Sequence, residues 1–154
     1  MKKILIAVDD TKSTREIFEK CVSVCKCMGP DQIILVYVEK FAGRSLIDEM
    51  LGDAEMATLR EVIEGTEFKE AMDKKANIIL GHYQKVLQGI PPAPQVKTVI
   101  RSGHPAEEII KTAEQEGVDL ILIGSKGARA PHLLMGSVSR EVVSMAQVPV
   151  MVIK

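Results

Sequence analysis

Gly124-Ser125-Lys126-Gly127 is followed after a short loop by Gly136-Ser137-Val138-Ser139. The first group follows directly on the apolar run Leu120-Ile121-Leu122-Ile123, and the second opens an amphipathic helical pattern. A buried strand thus enters a glycine-bearing loop that enters a helix start. That order offers backbone N–H groups and the positive end of a helix to an anion, and a phosphate fits best. Glycine lets the backbone approach a ligand with no Cβ in the way. The same glycines also suit a chain that only turns. The hydroxyls of Ser137 and Ser139 suit phosphate oxygens or a helix N-cap, roles that overlap because an anion satisfies the same N–H groups. Lys126, Arg129 and His132 lie in or beside the loop, either screening phosphate or simply solvated.

Asp9 is the second chemical position. It ends the apolar run Ile4-Leu5-Ile6-Ala7-Val8. A carboxylate at the end of a strand can accept hydrogen bonds from a ribose hydroxyl or a base amino group. Asp9 and Asp10 can equally cap the helix that follows. The loop Asp9-Asp10-Thr11-Lys12-Ser13 has no glycine, and no G-x-x-x-x-G-K-[ST] occurs in the chain. Dinucleotide-fingerprint and P-loop sites are thereby excluded. His82 and His104 have no visible Ser or Cys partner for nucleophilic catalysis. No histidine pair or carboxylate cluster has metal-ligand spacing, so neither catalytic nor metal-binding residues are expected.

The elements that position these residues follow from periodicity. Residues 3–8 and 32–38 are nearly continuous apolar runs, as strands covered on both faces require. Between them, Ser13-Thr14-Arg15-Glu16 has the S-x-x-E capping-box pattern. Ile17, Cys21, Val24, Cys25 and Met28 form the stripe of the helix after it, and Gly29-Pro30-Asp31 stops that helix. Residues 39–94 differ. Leu46, Ile47, Met50, Leu51 and Ala54 have helical spacing, a second helical pattern covers about 67–87, and Pro91-Pro92-Ala93-Pro94 makes an extended connector. Residues 95–102 alternate like a strand with one face less buried. Pro105 opens a helix with Ala106, Ile109, Ile110 and Ala113 inward, and Gly117 ends it. Strand 118–123, helix 137–146 with Val138, Val142 and Met145 inward, and strand 148–153 complete the chain. The order is βαβ, a helical insertion, then βαβαβ, so the fold class is α/β with an open parallel sheet and helices on both faces. Ligands bind such sheets beyond the carboxyl ends of the strands, where strand order reverses. If the first strand lies beside the strand ending at Ile123, the loops beginning at Asp9 and Gly124 share one crevice.

A chain of 154 residues supports one sizeable core, so a single domain is expected over 1–154. The net charge of −1 and 3% aromatic content leave neither a sequence-blind nucleic-acid binder nor a base-stacking platform. No apolar run reaches the roughly 20 residues that span a bilayer, and the N-terminus lacks a cleavable signal, so a cytoplasmic protein with no membrane partner is expected. The odd set Cys21, Cys25 and Cys27 argues against a disulfide framework and suits small apolar core residues.

Together these segments resemble the universal stress protein family. The carriers are Ile6-Ala7-Val8-Asp9, Leu35-Val36-Tyr37-Val38, Gly103-His104-Pro105-Ala106-Glu107-Glu108-Ile109, Asp119-Leu120-Ile121-Leu122-Ile123-Gly124-Ser125-Lys126-Gly127, Gly136-Ser137-Val138-Ser139 and Val148-Pro149-Val150-Met151-Val152-Ile153. The resemblance implies a five-stranded parallel sheet of order 3-2-1-4-5 and a homodimer paired through the last strand, 148–153. It also implies, in the branch with a G-x2-G-x9-G-[ST] motif, an adenine-nucleotide site for ATP or AMP, with Mg2+ bound through phosphate. Asp9, Val38, Gly124, Gly127, Gly136, Ser137 and Ser139 match that site, and Ala7, Val8, Ile123, Ser125, Lys126 and Val138 flank them within it. Eight residues, 128–135, separate Gly127 from Gly136 where the motif has nine. The shorter loop either gives at its outer end or narrows the phosphate seat, favouring AMP or no nucleotide. Tyr37 stands where many members carry His. The function implied is a nucleotide-binding stress-response regulator that works as a homodimeric switch or partner-binding module. The alternatives are a nucleotide-independent interaction module using the helical insertion with its Met50, Met56 and Met72, and an enzyme with at most slow ATP hydrolysis.

Overall fold

A computed structural model describes residues 2–39, 66–125 and 135–154. Its elements are β1 (Lys3–Val8), α1 (Lys12–Met28), β2 (Gln32–Glu39), α2 (Glu67–Gln88), β3 (Gln95–Ser102), α3 (Pro105–Glu116), β4 (Leu120–Gly124), α4 (Ser137–Met145) and β5 (Val150–Ile153). The sheet has the expected order β3-β2-β1-β4-β5, and every pairing is parallel. Helix α2 follows β2, as expected of the insertion, whereas the helical spacing from Leu46 to Ala54, Met50 and Met56 lie outside the described residues.

The apolar runs are explained by burial on both faces. Ile4, Ile6, Ile33, Leu35 and Leu122 face α1 and α2, where they meet Phe18, Cys21, Cys25, Leu80 and Leu87. Leu5, Ile34, Val36, Ile121 and Ile123 face the other way, onto Ile109, Ala113 and Val142 of α3 and α4. Strand β3 is an edge strand with no fully buried residue, which accounts for its weaker alternation. Gly29 and Gly117 end α1 and α3 in the left-handed region, at φ 55° and 59°, where only glycine is unstrained.

Several local expectations are corrected. The N-cap of α1 is Thr11, not Ser13, and its side chain accepts from the Thr14 N–H. The chain leaves its strand conformation early enough for a threonine two residues upstream to take the cap. The buried stripe of α1 includes Phe18 and Val22, because Phe18 packs on Tyr83 of α2 with ring centroids 4.3 Å apart, while Ile17, Val24 and Met28 are only half-buried. Met145 is exposed rather than inward, since the short α4 turns Ser139 and Val142 to the core. Strand β4 begins at Leu120, because the Val118 N–H is spent on the carbonyl of Ala113 in the turn ending α3.

Candidate functional site

Strands β1 and β4 are neighbours, with Ile6 beside Leu122. Their carboxyl ends therefore lead side by side into the loops beginning at Asp9 and Gly124, as the crevice argument requires. The glycine-bearing loop is closed at its base. The Ser125 N–H donates to the Ile153 carbonyl of β5 at 2.7 Å, and the Gly136 N–H donates to the Ser125 carbonyl at 2.7 Å. Ser139 is buried, and its hydroxyl lies 3.0 Å from the Gly136 carbonyl and 3.3 Å from that of Ser125. Gly136 is the N-cap of α4 and brings no side-chain cap, so the first-turn N–H groups receive no bond from their own cap residue. Ser137 at that turn is exposed. Ser139, for which the sequence allowed phosphate binding or a helix cap, ties the two ends of the loop together. Lys126, Gly127, Arg129 and His132 lie outside the described residues.

Of the two roles that the sequence left open for Asp9, the structure shows the one at the helix start. Its Oδ1 accepts from the Thr11 N–H at 2.9 Å, from the Thr11 hydroxyl at 2.6 Å, and from the Thr14 hydroxyl. This holds the carboxylate at the start of α1, where its negative charge is favourable. Asp10 does not cap α1; it pairs with Lys75 of α2. The Lys75 ammonium holds the Asp10 carboxyl below the ordinary value, and Asp10 in turn raises Lys75. Ala7, Val8 and Ile123 lie on the strands leading to these loops, and Val38 is half-buried near the end of β2 beside Arg101 of β3.

Other residues at this end of the sheet escaped the sequence reading. Glu39, at the end of β2, is 1% exposed. Its Oε2 accepts from Lys69 Nζ at 2.6 Å and from the Ser102 hydroxyl at 2.7 Å, while Oε1 is buried without a partner among the described residues. Lys69 also reaches Asp73 at 2.8 Å. Burial works against the Lys69 ammonium, but Asp73 and Glu39 together raise its pKa. Tyr83 is buried and donates its hydroxyl to the Asp9 backbone carbonyl at 3.3 Å. Burial pushes the phenols of Tyr37 and Tyr83 upward, with help from the carboxylates of Asp10 and Asp9. An acid closing an apolar strand was the one visible signal here; the lysine and tyrosine partners come from a distant helix. His104, read as unpartnered, is the N-cap residue of α3 and lies 3.4 Å from Glu141 of α4. His82 is exposed, with its ring edge-on to Tyr83. No group of three metal-ligating side chains occurs among the described residues.

The sequence matches the universal stress protein family over residues 1–154. The chain belongs to this family. Universal stress protein MJ0577 of Methanocaldococcus jannaschii is 34% identical over 157 residues, spanning 99% of this chain and 94% of the relative. The solved structure of MJ0577 superposes with a TM-score of 0.75 at 28% identity, covering 99% of this chain and 95% of that one. A universal stress protein from Archaeoglobus fulgidus, solved in complex with dAMP, shares the fold with a TM-score of 0.58 at 18% identity, over 100% of this chain and 98% of that one. No described helix of this universal stress protein is long and apolar enough to cross a membrane.

Proposed function

We propose that this universal stress protein binds an adenine nucleotide, ATP or AMP, at the carboxyl ends of β1, β2 and β4, and acts through that occupancy as a cytoplasmic regulator. The carrying observation is the junction of Gly136 with Ser125, which sets the uncapped start of α4 beside the strand end that neighbours Asp9. In this reading Asp9 accepts from the nucleoside, and Val38 lines the base. Gly124, Gly127, Gly136 and Ser137 seat the phosphates, flanked by Ala7, Val8, Ile123, Ser125, Lys126, Val138 and the loop-tying Ser139. Adenine nucleotide on this fold has a precedent in the Archaeoglobus fulgidus complex with dAMP. Mg2+ would arrive through phosphate oxygens, as no cluster of three protein ligands awaits it among the described residues. No general base is assigned, so hydrolysis is at most slow.

The chain acts as one domain over 1–154 and pairs with a second copy along β5. That strand is a sheet edge, and Val143, Met145 and Met151 nearby are 45%, 51% and 37% exposed. Occupancy biases the dimer between states of different partner affinity. Calorimetric titration with ATP, AMP and GTP, with and without Mg2+, tests the reading. Adenine nucleotides should bind and GTP should not; absence of binding at millimolar ATP and AMP refutes it. An AMP preference would mark a phosphate seat narrowed by the eight-residue loop. Sedimentation of the unaltered protein and of Val152→Pro tests the β5 dimer, which the proline should abolish.

A second reading has one observation in its favour. Helix α2 exposes Phe68 and Ile78, at 52% and 67%, as a surface for a protein partner. Phe68→Glu with Ile78→Glu should remove partner capture and leave nucleotide affinity unchanged.

A further inference from the structure

Among the described residues, the Asp9 carboxylate is held through one oxygen. Three donors among the described residues, the Thr11 N–H, the Thr11 hydroxyl and the Thr14 hydroxyl, converge on Oδ1. Oδ2 takes no part in these three bonds. The Tyr83 hydroxyl reaches the backbone carbonyl of the same residue, fixing the main chain from the α2 side.

The two threonines do different work. Thr11 is the N-cap, and its oxygen accepts from the Thr14 N–H at 3.2 Å. That bond needs only the backbone of Thr14. The Thr14 hydroxyl is not required by the cap; it reaches back five residues to the carboxylate. At a third helical position a side chain that reaches back ordinarily serves the backbone of the N-cap. Here it serves an acid at the carboxyl end of β1.

We propose that Thr14 is a positioning residue for the nucleotide contact of Asp9. It saturates Oδ1 and leaves Oδ2 as an acceptor-only group that selects a nucleotide by a hydrogen-bond donor, either a ribose hydroxyl or an exocyclic amine. The inference rests on the nucleotide reading above. A carboxylate offers no proton, so a ligand presenting a carbonyl or a bare carbon there loses the bond and leaves the acceptor unpaired. A carboxylate free to rotate would lose that discrimination.

Thr14→Val keeps the shape and removes the hydroxyl; Thr14→Ser keeps the hydroxyl. The first measurement needs no nucleotide. Amide hydrogen exchange is followed at Thr11, whose N–H is bonded to Asp9, and at residue 14, whose N–H reports the cap. In Thr14→Val the Thr11 amide should lose protection about tenfold while the residue 14 amide keeps it, and Thr14→Ser should restore Thr11. Unchanged Thr11 protection overturns the clamp. The second measurement compares affinities for ATP, 2′-deoxy-ATP and ITP. The unaltered protein should disfavour by about tenfold the analogue lacking the donor, deoxy-ATP if the ribose is read and ITP if the amine is read. Thr14→Val should shrink that ratio to about twofold, with Thr14→Ser restoring it. Equal weakening toward all three ligands, or an unchanged ratio, overturns the positioning role. If none of the three binds the unaltered protein, the nucleotide reading falls, and with it the selection by Oδ2, while the exchange measurement still decides the clamp.

Discussion

The N–H of Gly136 donates to the carbonyl of Ser125 at 2.7 Å, joining two residues that flank the glycine-bearing loop. The loop base is thereby set by the strand end and the helix start. Ser139 reinforces it from within the core. Ser139→Ala removes a buried hydroxyl bonded to both carbonyls and should lower stability by about 1 kcal/mol. Urea unfolding measures this. ATP and AMP should weaken together in the variant, because the seat loosens as a whole; full stability and affinity would mean that the hydroxyl ties nothing.

The Glu39 and Lys69 pair should behave as a coupled unit. Lys69→Met leaves a buried carboxylate held, among the described residues, by Ser102 alone and should destabilise by about 3 kcal/mol. Glu39→Gln should do less, since Ser102 can still donate to the amide oxygen. The double variant should be more stable than the sum of the single effects allows, by at least about 1 kcal/mol. Additive losses in urea unfolding would contradict a direct pair.

Stability should fall in acid partly through Asp10. Its folded pKa lies below 3.8, held there first by the hydrogen bond from Lys75. The native state therefore binds the proton less readily than the unfolded chain. The stabilisation is complete above pH 3.8 and is lost as pH falls through the folded value. Asp10→Asn should flatten the stability profile below about pH 4. A residual slope is expected from Asp119, which the N–H groups of Lys3 and Lys2 lower in the same sense.

Thiol chemistry should divide the cysteines. Burial raises Cys21 to about 12 and Cys25 to about 11, and both lie on the buried face of α1. Cys27 is exposed. A maleimide probe at neutral pH should modify Cys27 alone in the folded protein and all three cysteines in denaturant. Mass spectrometry of tryptic peptides reads the sites, and rapid labelling of Cys25 in folded protein would contradict its burial.

The sequence displayed what depends on neighbours along the chain. The doubly covered runs of β1, β2 and β4 and the glycines ending α1 and α3 were legible because composition and local φ dictate them. So was the pairing of strand ends that brings the loops of Asp9 and Gly124 together, through the family resemblance. The N-cap of α1 was misplaced because Thr11 and Ser13 both satisfy cap chemistry, and only the end of β1 chooses between them. The partners of Glu39, Asp10, Tyr83 and His104 were hidden for a different reason. Each comes from another helix, and nothing in a local pattern reports which side chain folding will deliver. For Ser139 the sequence allowed a phosphate ligand or a cap because its type and place suit both; its inward rotation depends on how α4 sits on the sheet.

The contact between Glu39 and Lys69 has a consequence for how the chain can change over time. It joins the last residue of β2 to the first turn of α2, so these two elements are fastened to each other at one point. Closing a longer segment through such a point adds only about 0.6 kcal/mol for each doubling of length. A change in the number of residues between β2 and α2 therefore carries a small closure cost, while the fastened pair keeps the two elements together.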